Sequence, residues 1–369
     1  MLDSAPGKPI NLYKFHKPKL RLYETRPSAL KPESKRSVLI PHNSLNPHFL
    51  FESPPSVSFT VYILNNSRCL RNLANYDTPH IRIPLPRARQ AAVLVALFVG
   101  RHGDLYVLLN RRASTLRTYA GDTALPGGKV EPGDKTIEDT AIGLPIDKRK
   151  VPLLCVLPPF LARNSLIVTP VVVLVLDKSI QPILAPAEVA SMFSHPLHAF
   201  LSTTSPFSNE PEAVEVAYHT FFDFPWNGPS PPAFSPDFHF NHELHQDKER
   251  SRLEPRSMSR THSFLTGREA GGTKPVFGLT AAMLIEVARI GYAREPEFEV
   301  QPPNAPSGEE RIVWALRREG AFRKAFEDEG RWENVKAILD GLLLRLWRER
   351  KEKERAARTR RSGGLKSRL

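Results

Sequence analysis

Apolar positions along this chain fall into short runs divided by turn residues, and the period of the runs changes along its length. Ala91–Val99 is apolar at every position, the pattern of a strand buried on both faces. His102-Gly103-Asp104 is a turn, and Leu105–Asn110 is the returning strand of a hairpin. Leu153–Phe160 and Leu166–Leu176 read as further strands, and Val214–Phe224 alternates well enough for a final one. Helical spacing is confined to the flanks. Arg68–Ala74 predicts a short helix, and Pro275–Ala281 leads into an apolar helix ending at Tyr292. Gly308–Arg361 reads as one or two helices, with Trp314, Leu316, Phe322, Phe326 and Trp332 and then Ile338 to Trp347 as the apolar positions. Two stretches lack sustained period: residues 1–66, expected to be mostly disordered, and Pro225–Arg260, expected to be a surface insertion.

Composition sharpens this division. The 35 prolines are about twice ordinary usage and cluster outside the patterned region. The net charge of +13 suggests a polyanion partner until it is mapped. Residues 345–369 hold eleven Lys/Arg against three acids, and residues 1–37 hold nine against three, which leaves the chain between them almost neutral. The basicity belongs to the ends, and no aromatic-and-basic module argues for nucleic acid. Two cysteines, Cys69 and Cys155, are too few for a disulfide framework and suit a reducing compartment or a matrix. No apolar run reaches the ~18 residues of a membrane span, and the N-terminus shows no secretory pattern.

The chemistry concentrates between Leu108 and Leu144. Leu108 and Leu109 are followed by Arg112, Arg117 and Gly121, and then by Leu125-Pro126-Gly127-Gly128. At these spacings the segment resembles the Nudix hydrolases, and within them the peroxisomal, fungal-type branch that cleaves coenzyme A at its diphosphate, with Leu125 standing where the branch has Phe. The resemblance covers residues 68–293, interrupted by the insertion. It implies an α/β fold, the Nudix α/β/α sandwich, with a mixed sheet between helices. On this reading residues 1–66 are an extension, 67–300 the hydrolase domain and 301–369 a helical, basic arm.

The same comparison exposes a gap. A Nudix box continues on a helix through Arg-Glu-x-x-Glu-Glu-x-Gly, whereas here Asp139-Thr140-Ala141 is followed at once by Ile142-Gly143-Leu144. In the family those glutamates hold divalent cations through oxygen, and the metal polarises phosphorus and helps activate water. Losing about seven residues removes nearly two helical turns, roughly 10 Å of rise, yet changes the phase by only about 20°. The shortened helix can therefore keep its apolar face on the core. The clean flanks favour a misplaced splice boundary in the gene model over a shortened helix.

The resemblance implies a pyrophosphohydrolase using Mg2+ or Mn2+, which splits coenzyme A or acyl-CoA into 3′,5′-ADP and a 4′-phosphopantetheine product. Arg112 and Arg117 offer forked donors to phosphate, or else form structural ion pairs. Gly121, Pro126, Gly127 and Gly128 shape the loop, and the two glycines let backbone N–H groups approach the diphosphate. Glu131, Asp134 and Glu138 are the nearest candidates for metal ligands, although Pro132 and Gly133 argue for a turn and solvated acids there. Ala185–Ala190 resembles the family's acidic loop leading into a helix, where Glu188 is a catalytic candidate or simply a first-turn acid. His239, His242 and His245 recur at every third position but read better as an exposed loop than as a metal site. Ser367-Arg368-Leu369 resembles the C-terminal peroxisomal address read by an import receptor, with cytoplasm or mitochondrion as alternatives. A non-catalytic ligand-binding protein and a hydrolase of oxidised nucleoside triphosphates are the competing functions.

Overall fold

A computed structural model describes residues 57–79, 83–100, 103–131, 133–142, 149–176, 187–207, 217–226, 257–269, 272–303 and 305–366. The expected disorder of residues 1–56, most of the 225–260 insertion with His239, His242 and His245, and the terminal Ser367-Arg368-Leu369 lie outside these residues.

The central element is β1 (Gln90–Val99), and its uninterrupted apolar run has a topological cause. It pairs antiparallel with β2 (Leu105–Arg112) on one side and parallel with β7 (Leu166–Leu174) on the other. Both of its faces are therefore covered. β2 continues to β3 (Thr123–Ala124) and β8 (Val189–Pro196), while β7 pairs with β5 (Leu153–Val156) and β6 (Phe160–Ala162). β4 (Gly127–Lys129) adds to the near end of β1. The result is a mixed sheet with two packed faces.

Ala91, Val95 and Leu97 point to one face, with Val107, Leu109, Val168 and Val172. Two helices cover it, α1 (Val57–Ala74) through Cys69 and Leu73, and α3 (Gly278–Tyr292) through Met283, Leu284 and Val287. The other face carries Ala92, Ala96, Leu108, Val171 and Val173 and is covered by α2 (Ile137–Ile142) through Ala141. This is the α/β/α sandwich expected, and the six-residue α2 has kept its apolar side on the sheet.

Several boundaries differ from the sequence reading. The first helix begins at Val57, inside the stretch expected to be disordered. The expected final strand is observed as β9 (His219–Pro225) but is not final, because β10 (Met258–Glu269) and β11 (Gly272–Phe277) follow it in a second, three-stranded antiparallel sheet. Their pattern was masked because the inner positions include His219 and His262 rather than aliphatic residues. His262 Nε2 donates to Val300 O at 2.8 Å, so its Nδ1 accepts from His219 Nε2–H at 3.0 Å. The His219 ring in turn stacks on Phe298 with centroids 3.9 Å apart.

The C-terminal region folds as three helices, α4 (Gly308–Arg318), α5 (Gly320–Asp328) and α6 (Trp332–Lys366), where one or two were expected. A reciprocal capping box between Ser307 and Glu310 starts α4. Ile312, Leu316, Phe322, Phe326, Leu339 and Leu343 form one core with Ile83 and Ile167 of the sheet side. Arg317–Asp340 (2.7 Å), Arg345–Glu309 (2.8 Å) and Arg350–Glu310 tie α6 to its neighbours. No helix among the described residues is long and apolar enough to cross a membrane.

Candidate functional site

The segment from Arg112 to Lys129 folds as the end of β2, an exposed loop, and the short strands β3 and β4. The loop is closed at its base, where Arg112 N donates to Asp122 O at 2.9 Å and Arg111 Nε to Gly121 O at 3.3 Å. Arg112 Nη2 reaches Thr118 O at 3.4 Å, while its Nε is buried without a hydrogen-bond partner among the described residues. Arg117 stands exposed on the loop, and Gly121 turns the chain at φ 74°. Pro126 O accepts from Leu94 N at 2.7 Å, which begins the pairing of β4 with β1.

The two glycines have different reasons to be there. A Cβ on Gly127 would lie 2.2 Å from Ala92 O and 2.7 Å from Val93 Cα, so only a glycine lets β4 reach β1. A Cβ on Gly128 would meet nothing within 4 Å. Of the pair expected to admit a ligand, Gly127 is needed by the sheet and Gly128 faces open space.

The acids after β4 are not gathered into a ligand set. Asp134 Oδ2 accepts from Glu131 N at 2.8 Å and from Thr140 Oγ1 at 2.7 Å. The Glu131 backbone bond, then the Thr140 hydroxyl, hold this carboxyl below its ordinary range. Arg87 clamps the same turn from outside, its Nη2 donating to Glu131 O at 2.9 Å and to Asp134 O at 2.5 Å. Arg87 N itself donates to Glu329 Oε1 at 2.6 Å, which connects the turn to the end of α5. Glu138 is the second residue of α2. Among the described residues no three His, Cys, Asp or Glu side chains converge to hold a metal. The donors present among the described residues therefore do not fit Mg2+ or Mn2+.

Glu188 is exposed, and its carbonyl accepts from Ala113 N at 2.8 Å. The segment after it enters β8 rather than the expected helix, because Val189–Pro196 pairs along β2. The helical turn comes only afterwards, as a 3₁₀ turn at Leu197–Leu201. Three residues escaped the sequence reading. Asn110, next to Leu109 in β2, has its Oδ1 buried without a partner among the described residues, and Ser191 Oγ on β8 is in the same position. A polar residue interrupting an apolar strand run was the available signal. Arg87 carried none, since its role depends on Glu329, far along the chain.

Comparison with known proteins then becomes informative. No family model matches the chain. Nudix hydrolase 22, chloroplastic, from Arabidopsis thaliana is 33% identical over 226 residues, covering 59% of this chain and 60% of its own length. Nudix hydrolase 15, mitochondrial, from the same plant is 32% identical over 226 residues, covering 59% and 64%. By sequence the protein is similar to Nudix hydrolases. The Nudix-like region also matches peroxisomal coenzyme A diphosphatase 1 of Saccharomyces cerevisiae, at 32% identity over 184 residues, 40% of this chain and 54% of that one. The chain thus spans between about half and two thirds of the length of these Nudix relatives. A solved Nudix hydrolase from M. smegmatis, RenU, aligns at 21% identity over 30% of this chain and 73% of its own, with a TM-score of 0.25.

Proposed function

We propose that this protein is a Nudix-type pyrophosphohydrolase scaffold for coenzyme A or acyl-CoA, and that the chain as printed binds the diphosphate without cleaving it. The observation that carries this reading is the pairing of a complete Leu108–Gly128 segment with a six-residue α2. The segment supplies Arg112 and Arg117 as cations beside a strand whose Gly128 is open. The helix lacks the carboxylates that would assemble metal and water.

In binding, Arg112 and Arg117 pair with phosphate oxygens. The N–H groups of the Gly127–Lys129 edge that point away from β1 are additional donors. The coenzyme A branch and the peroxisomal assignment are both supported by the yeast similarity. The chloroplastic and mitochondrial relatives leave other compartments open to test.

The test is release of 3′,5′-ADP from coenzyme A with Mg2+ or Mn2+, measured for the chain as it stands and for one carrying Arg-Glu-x-x-Glu-Glu restored after Ala141. The expected outcome is background turnover in the first and metal-dependent turnover in the second. Metal-dependent turnover by the unmodified chain sinks the binding-only reading, and failure of both to bind coenzyme A sinks the substrate assignment.

A further inference from the structure

The loop between Ala113 and Asp122 contains a feature that the diphosphate reading does not use. Tyr119 sits at φ 55°, in the left-handed region that L-residues with bulky side chains avoid. Its carbonyl is pinned by Asp122 N at 3.3 Å, and the preceding carbonyl, of Thr118, accepts from Arg112 Nη2 at 3.4 Å. Gly121, two residues on, is also left-handed at φ 74°, so the turn holds two such positions and fills only one with glycine. Tyr119 is 51% exposed, so core packing does not offset the strain. Exposed Arg117 lies two residues before it, and the unpartnered Nε of Arg112 lies at the base of the same loop.

A strained aromatic residue that packs on little of its own protein is the arrangement of a ligand contact. The ring offers a flat π-face, and Arg117, two residues earlier on the same exposed loop, offers donors to anionic oxygen. A molecule that joins a planar base to a diphosphate satisfies both at once. We propose that Tyr119 is the stacking platform for the purine base of the nucleotide that this site binds, and so the residue that separates nucleotides from simple diphosphates. The proposal rests on the reading of the loop as a diphosphate site. Phe221 and Phe222, which are also exposed, lie on β9 of the other sheet and do not compete for this role.

The experiment is calorimetric titration of the full chain with ADP and with inorganic pyrophosphate, in the wild type and in Tyr119→Phe, Tyr119→Ala and Tyr119→Gly. Loss of one base stack weakens binding by about tenfold. Tyr119→Ala and Tyr119→Gly are expected to lose that factor for ADP while binding pyrophosphate within about twofold of wild type. Tyr119→Phe should keep ADP affinity. Tyr119→Gly should melt no lower than wild type, because glycine tolerates the left-handed turn, and this shows that the lost affinity is not lost folding. Unchanged ADP affinity in Tyr119→Ala overturns the platform, as does a parallel fall for both ligands. A wild-type chain that binds neither ligand overturns the diphosphate reading, and the platform with it.

Discussion

At the scale of single residues, the glycines of the Leu125–Gly128 segment show how one motif serves two masters. Gly127 is required because β4 runs against the backbone of β1, and Gly128 is free of any such neighbour. Gly127→Ala should therefore cost about 2 kcal/mol or more in urea unfolding, since its Cβ meets main-chain atoms that cannot rotate away. Gly128→Ala should stay within about 0.5 kcal/mol of wild type. Equal costs in the two variants would mean that the β4–β1 pairing is wrong. The motif spacing singled out both glycines in the sequence, but nothing local told them apart. That distinction needed Ala92 and Val93, whose approach is a tertiary event.

At the scale of elements, α2 is the informative case. Six residues are well below the length of about 12–15 at which a helix holds itself in water. It persists because Ala141 packs on the sheet, Asp134 bonds both Glu131 N and Thr140 Oγ1, and Arg87 grips the preceding turn. Glu329, at the end of α5, orients Arg87 through its backbone N–H. Hydrogen exchange measured on Glu329→Ala and Arg87→Ala should thus show faster exchange across 131–142, with α4 and α6 unaltered. Acceleration spread evenly over the molecule, or none at all, would refute the link. The apolar face of α2 was legible from helical phase, whereas its external clamp joins residues more than two hundred positions apart.

At the scale of the whole molecule, the second sheet sets the response to acid. Burial, then the charges of His262 and Arg260, push His219 down to about 4. Burial also lowers His262, although its bond to Val300 opposes the shift. Around this pair stand Arg260, bonded to Asp223 at 2.7 Å and to Glu299 at 3.1 Å, and the rings of Phe221 and Phe298. Unfolded histidine titrates near 6.5, so between about 6.5 and about 4 the unfolded chain binds the extra proton. Stability is complete above that window and falls as pH drops through it. Denaturant midpoints measured from pH 7 to pH 4 should decline, and His219→Phe should flatten the decline. A midpoint that holds constant over this range in the wild type would contradict the buried neutral pair.

The sequence by itself determined the parts whose signals are local. The all-apolar run of β1, the hairpin to β2, the closing helix α3 and the spacing from Leu108 to Gly128 can each be read within a few residues, because periodicity and turn chemistry act at short range. The departure from the Nudix pattern after Ala141 was equally plain there. Only the tertiary structure decided that the segment after Glu188 is a strand, since pairing with β2 overrode its local pattern. It likewise decided that histidines line the second sheet and that the C-terminal helices complete the core at Ile83 and Ile167. Each of these depends on contacts between residues remote in the chain, and no window of sequence contains both partners.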